Sequence, residues 1–422
     1  MKHKKRILKL FSVLFLFVPL LGAKIFVPMD ETQSNHLKAY GIAYYALERG
    51  LDVEWLLNYR GGSFSIPVNE AVEKECLLRS VTYEKIPASE YNAISATIAE
   101  SNMSIVLLEK APEIAVYTPP NTLPWDDAVT LALTYAEIPY DKIYDREILQ
   151  EKLNDYDWLH LHHEDFTGQY GKFYGNYRNA EWYIREKQTQ EELAAELGYQ
   201  KVSELKLAVA KRIKEYVLNG GFVFAMCAAT DSYDIALAAQ NTDICHAVFD
   251  GDGIDPDYQE ALDYSQTLAF TDFEVYPDPS LYEFSDIDLP PSYRPLDIDP
   301  VKDYFSLFEF SAKFDPVPAM LTQNHESLIK GFMGQTTYFN REKIKKHVVV
   351  MGETKNTKRV RYIHGNAGKG TFTFYGGHDP EDYRHYVGDP PTNLELHKNS
   401  PGYRLILNNI LFPAAKKQER KT

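Results

Sequence analysis

Gly220-Gly-Phe-Val-Phe-Ala-Met-Cys-Ala-Ala-Thr-Asp-Ser232 is the stretch on which the fold turns. The apolar run Phe222 to Met226 is strand-length and bounded by Gly221 and by the small residues after Cys227, so it reads as a strand buried on both faces. An alanine-rich helix is expected directly behind it, from Tyr233 to Ala239. A nucleophile on a tight strand-to-helix turn projects from the sheet edge, and such a turn needs small residues two positions either side, a condition that Ala225 and Ala229 meet. The N-terminus of the helix would lower the Cys227 thiol from its ordinary value of about 8.5 and offer N–H groups near Ala228 to an oxyanion.

Strand and helix patterns alternate on both sides of this segment. Upstream, Glu113–Tyr117 reads as a strand, Trp125–Ala136 as a helix, the residues near Lys142 and Asp157–His162 as strands, and Ser203–Asn219 as a helix. At the start, Lys24–Pro28, His36–Arg49 and Asp52–Leu57 form a strand, helix and strand, one βαβ unit over 24–110. Downstream, strand signals fall at Ala319–Leu321, Leu328–Met333, His347–Met351, Arg359–Ile363 and Thr371–Tyr375, followed by a helix over Gly402–Leu411. The expectation is an α/β protein whose mainly parallel sheet is covered by helices on both faces, with a main domain over 111–412. The region 245–345 is read as an irregular insertion, rich at its start in Asp, Pro and Tyr. Residues 413–422 form a basic tail.

Composition narrows the function classes. The chain has 422 residues, of which 44% are hydrophobic and 25% charged, enough for one or two cores. Its 45 Lys and Arg against 60 Asp and Glu give a net charge of −15, which argues against nucleic acid as a partner. Lys2, Lys4, Lys5, Arg6 and Lys9 precede the apolar run Phe11–Ala23, the pattern of a secretory signal peptide over 1–23. An exported protein, periplasmic or secreted, with no membrane span after cleavage, is expected. Cys76, Cys227 and Cys245 are too few for a disulfide framework.

Three further constellations carry candidate chemistry. Gly376-Gly-His378-Asp379-Pro-Glu381 closes a strand and places an imidazole and carboxylates at the sheet edge, so His378 is a candidate base for Cys227, with Glu381 or Asp379 as its orienting partner. His160-Leu-His162-His163-Glu164-Asp165 closes another strand. These residues either border the site, with His162, His163, Glu164 and Asp165 touching substrate, or hold a divalent metal through His160, His162 and Asp165. The aromatic set Tyr170, Phe173, Tyr174, Tyr177, Trp182 and Tyr183 follows, with Tyr170 nearest, and either stacks on a sugar or peptide or packs beneath a loop.

The cysteine elbow and the Gly368-Lys-Gly strand ending in His378 and Glu381 resemble the class I glutamine amidotransferase-like superfamily over roughly 113–412. The resemblance implies a flavodoxin-like sheet and a thiol hydrolase or amidase acting on a C–N or ester carbonyl. It makes Cys227 the nucleophile, His378 the base and Glu381 the orienter, and it implies no cofactor. The elbow has Ala225 and Ala229 where the family has glycines, and the His-to-Glu spacing is one residue longer. The whole chain also resembles exported bacterial proteins commonly named asparagine synthetase B. Its loop Arg60-Gly-Gly-Ser-Phe-Ser65 lacks the Asp such a synthetase uses. The competing class is a non-catalytic protein binding a glycan or peptide in the same cleft.

Overall fold

The computed structural model describes residues 22–289 and 299–415. Residues 1–21 of the expected signal peptide over 1–23, and residues 416–422 of the expected basic tail over 413–422, lie outside the described residues. None of the described helices is long and apolar enough to cross a membrane.

Among the described residues fifteen strands form: β1 (Lys24–Val27), β2 (Val53–Leu57), β3 (Ser63–Pro67), β4 (Glu84–Ile86), β5 (Ser104–Leu108), β6 (Ile114–Tyr117), β7 (Asp141–Ile143), β8 (Trp158–Leu161), β9 (Phe222–Met226), β10 (Tyr304–Leu307), β11 (Leu328–Lys330), β12 (Phe339–Asn340), β13 (Val349–Glu353), β14 (Arg359–Ala367) and β15 (Gly370–Tyr375). They form two sheets. The first, β4-β1-β3-β2-β5, is antiparallel throughout. The second has ten strands in the order β11-β10-β13-β14-β15-β9-β8-β6-β7, with β12 beside β14.

This corrects the expectation of a mainly parallel, flavodoxin-like sheet. Only β15, β9, β8, β6 and β7 run parallel to one another, while β14, β13, β10, β11 and β12 are antiparallel. The reason lies in the connections. A parallel crossover needs a dozen or more residues, whereas Thr354–Lys358 joins β13 to β14 and Gly368-Lys369 joins β14 to β15, lengths that only an antiparallel hairpin can use. The N-terminal βαβ reading fails for the same reason. The chain turns from β2 into β3 through Asn58–Gly62, where Asn58, Arg60, Gly61 and Gly62 all have positive φ, and β3 inserts between β1 and β2. The expected strand at Ala319–Leu321 is instead the end of the helix Pro316–Leu321, whose first turn accepts Pro316 and Pro318. The 245–345 region is irregular only in part, since β10, β11 and β12 fall within it.

Side-chain alternation along β9 sorts the core. Phe222, Phe224 and Met226 face the layer shared with the helices His36–Glu48, Ala128–Ala136 and Pro401–Leu411, while Val223, Ala225 and Cys227 face the helices Val202–Asn219 and Ala229–Ala238. The first layer also joins the two sheets. There, buried Arg404 donates to the carbonyls of Met29 (3.0 Å) and Gly61 (2.7 Å) and lies 2.9 Å from His325 Nδ1. His325 stacks on His36 at 4.1 Å.

Burial, and then the Arg404 charge, hold His36 down at about 4 and His325 at about 3. Both lie below the unfolded value near 6.5, so the stability they contribute is present above pH 6.5. It is lost as pH falls through that window, because the unfolded chain takes up protons the folded one refuses. Moving His36 from 6.5 to about 4 corresponds to about 3 kcal/mol. The urea midpoint should therefore fall steeply between pH 7.5 and 4.5, and less steeply in His36→Gln. An identical pH slope in that variant would remove this junction from the account.

Candidate active site

The carboxyl ends of β6, β8, β9 and β15 meet at one edge of the parallel strands, the position where open α/β sheets bind ligands. Cys227 follows β9 with φ of +51°, a left-handed conformation that costs a non-glycine residue energy and is held here by the turn into Ala229–Ala238. Its sulfur is buried and faces the N–H groups of Gln335, Thr336 and Ala228, with Gln335 N at 3.3 Å. Burial pushes the thiol up to about 11 against these donors. Gly334 packs so tightly here that a Cβ on it would lie 2.8 Å from His378 N and 3.1 Å from Cys227 Sγ.

The sulfur opens into a cavity of about 500 Å³ whose wall also includes His163, His378, Trp125, Phe173 and Tyr177. The structure thus brings Cys227 and His378 to one cavity, but it does not assemble the expected triad. Both ring nitrogens of His378 lack a hydrogen-bond partner among the described residues. Glu381 pairs with His397 Nδ1 at 3.0 Å, and Asp379 accepts from Glu381 N at 2.8 Å, so neither orients the imidazole. The extra residue between His378 and Glu381 turns the chain back on itself, as the bridge between Asp379 and Asp382 records. The ring is instead held by stacking: His163 lies parallel at 5.5 Å and His385 at 4.4 Å, and His162 approaches at 4.5 Å.

Three imidazoles converge. One ring nitrogen each from His162, His163 and His378 lies within 4.8 Å of the others. Among the described residues both nitrogens of His378, Nε2 of His162 and Nδ1 of His163 have no hydrogen-bond partner, and Nδ1 of His162 faces Asp127. Burial and the neighbouring imidazoles hold His163 and His378 well below 6.5, which keeps their lone pairs free at neutral pH.

Asp127 stands behind them. One carboxylate oxygen caps the helix Ala128–Ala136 by accepting from Thr130 N at 2.8 Å; the other lies 3.1 Å from His160 Nε2 and 3.4 Å from His162 Nδ1. Burial alone would raise this carboxyl, but the imidazoles of His160 and His162 outweigh it and hold it well below the ordinary carboxylate range. His385 is clamped by Asp126 (2.9 Å) and Asp382 (3.1 Å), which overcome its burial and lift it to about 9.

The remaining expected residues scatter. His160 spends its nitrogens on Phe224 O (3.1 Å) and Asp127. Asp165 accepts from the N–H groups of Thr167, Gln169 and Gly171, which organises its loop and takes it out of the expected metal set of His160, His162 and Asp165. Glu164 accepts from His162 N at 3.2 Å, and burial followed by the Asp127 charge raises it to about 8. Tyr170 lies behind the cavity with its hydroxyl 3.4 Å from Glu191, whereas Phe173 and Tyr177 do line the cavity, with Trp182 packed at 5.4 Å from Phe173. Cys76 and Cys245 are free, as is Cys227.

Sequence reading missed Asp126, Asp127 and His385. Asp127 carries the ordinary signal of a helix cap, and the expected helix from Trp125 absorbed it.

No family model matches the chain, and no curated protein matches it. Solved structures with some likeness include two cytoplasmic proteins of Salmonella typhimurium. One is 12% identical over 72% of this chain and 100% of its own (TM-score 0.33); the other is 11% identical over 72% of this chain and 99% of its own (TM-score 0.36). A GH42 β-galactosidase from G. stearothermophilus is 12% identical over 64% of this chain, which spans 28% of that enzyme (TM-score 0.27). Scores this low assign neither a fold nor an activity to this chain.

Proposed function

We propose that the cavity is the active site of a divalent-metal-dependent hydrolase, with His162, His163 and His378 as the ligands and a C–N or ester carbonyl as the target. The observation that carries this reading is the convergence of three imidazoles, His162 and His378 buried and His163 half-buried, beside a cavity of about 500 Å³. Three histidines with a fourth position open to substrate are a catalytic zinc set, and a zinc-bound water ionises near pH 7. Asp127 behind His162 fits the carboxylate that orients a ligating imidazole. In the reaction, the water oxygen bonds to the carbonyl carbon, the C–N or C–O bond breaks, and the leaving amine or alcohol takes a proton from the water. The basic-then-apolar N-terminus supports export as the setting, which cell fractionation tests.

One observation favours a second reading, the amidotransferase-like thiol hydrolase: Cys227 sits on a positive-φ turn with three N–H groups around its sulfur. There the sulfur attacks the carbonyl, His378 takes the thiol proton and passes it to the leaving group, and water releases the acyl-enzyme.

One experiment separates the two. The purified protein is analysed for bound zinc, and hydrolysis of p-nitroanilide and p-nitrophenyl ester substrates is followed with chelator or with iodoacetamide. The metal reading expects about one zinc per chain and loss of activity to chelator but not to alkylation. The reverse pattern supports Cys227, and ligand binding without turnover supports a binding protein.

A further inference from the structure

We propose that Arg384 is a carboxylate receptor at the mouth of this cavity, so that the substrate is a small anion carrying a flat or apolar group. The inference rests on reading the cavity as the substrate site. Arg384 lines it, and among the described residues its guanidinium makes no hydrogen bond or ion pair. Asp382, two residues before it in the chain, and Asp126 are both spent on His385.

The backbone on either side is anchored. Tyr383 O accepts from Met333 N at 2.9 Å, the His385 ring is clamped between two carboxylates, and Gly388 N donates to Pro124 O at 2.7 Å, tying the loop to the segment that carries Trp125. The exposed guanidinium on this anchored backbone is free to take a carboxylate by two parallel N–H bonds. The cavity lining is also aromatic. Trp125 stacks on Phe173 at 5.3 Å, and Tyr177 and Tyr282 lie 5.8 and 5.7 Å from Phe173. Flat apolar faces, imidazoles and a cation lining one cavity suit an acyl or aryl group joined through a scissile bond to a carboxylate-bearing part.

The test uses two probes of equal size that the protein has no bond to cleave in: 3-phenylpropanoate and its methyl ketone, 4-phenylbutan-2-one. Binding is measured by calorimetry on the wild type, Arg384→Ala, Arg384→Lys and His162→Ala. The wild type is expected to prefer the carboxylate by about tenfold or more, the worth of a hydrogen bond to a charged group. Arg384→Ala should lose that preference, Arg384→Lys should keep part of it, and His162→Ala should keep it. Equal binding of the two probes by the wild type, no binding of either up to about 10 mM, or a preference that survives Arg384→Ala would each overturn the proposal. A preference lost in His162→Ala but kept in Arg384→Ala would place the carboxylate on the imidazole cluster, sinking the Arg384 inference while leaving the metal reading intact. Loss of zinc from His162→Ala with the preference unchanged supports both; a zinc-free wild type that keeps an Arg384-dependent preference supports the receptor alone.

Discussion

Replacing His378 by alanine is expected to lower zinc affinity by more than about 100-fold and to remove hydrolysis with it, because changing even the outer partners of a metal site costs about 10- to 100-fold. The same loss is expected for His162→Ala, and Asp127→Asn should fall within that 10- to 100-fold range. The graded result follows from the geometry. His378, with two unpartnered ring nitrogens, and His162, with a free Nε2, contribute to the converging set directly, whereas Asp127 reaches it only through His162 Nδ1 at 3.4 Å. Asparagine keeps the size of Asp127 and an oxygen for the Thr130 cap. Its neutral amide supplies less attraction to the two histidines the carboxylate now serves.

The measurement is competition for zinc against a chromophoric chelator, with thermal melting as the control. Unfolding is not expected, since His378 forms no hydrogen bond through its side chain among the described residues and is held by ring stacking alone. Zinc affinity unchanged in His378→Ala would sink the metal reading. A fall in hydrolysis without a fall in zinc affinity would return His378 to the role of base for Cys227.

The largest expected loss of stability lies elsewhere, at Lys206. This lysine is 1% exposed and Asp145 is 0% exposed; Lys206 Nζ lies 3.0 Å from Asp145 Oδ2 and 2.9 Å from the hydroxyls of Tyr117 and Tyr144. Tyr117 also donates to Asp145, and Lys206 stands over the Tyr144 ring at 4.3 Å. Lys206→Met removes the one cation of this group and leaves a carboxylate in an apolar core, which costs about 3 to 5 kcal/mol. Against a total of about 5 to 15 kcal/mol for a typical domain, that is enough to unfold a marginal protein.

The pair need not be a net source of stability. Replacing both partners by apolar groups of similar size is often neutral, so Lys206→Met with Asp145→Leu should recover most of the loss. Urea unfolding of the single and double variants gives the answer. A cost below about 1 kcal/mol for Lys206→Met would mean that Asp145 finds water or another donor there.

Strand and helix existence was widely legible. The run Phe222–Met226 sends alternate side chains into two different cores, and the elements around β6, β7, β8 and β15 fall where the hydrophobic pattern indicates. Strand direction was read less well, because a hydrophobic run looks the same in a parallel and an antiparallel neighbour. The short links at Gly368-Lys369 and Thr354–Lys358 held the information that would have separated the two.

The site divides the same way. His162, His163, Cys227 and His378 each follow a hydrophobic strand, and local sequence alone determined that they stand at strand ends. Which carboxylate serves which imidazole was decided by tertiary structure. Glu381 is three residues from His378 in the chain yet bonds His397, while Asp127 holds His160 and His162 from more than 30 residues earlier and Asp126 holds His385 from about 260 residues earlier. Hydrophobic periodicity is a local property that survives in any short window of sequence. A hydrogen bond between a strand end and a distant cap residue exists only once parallel β6, β8, β9 and β15 have been brought side by side and their loops share one edge.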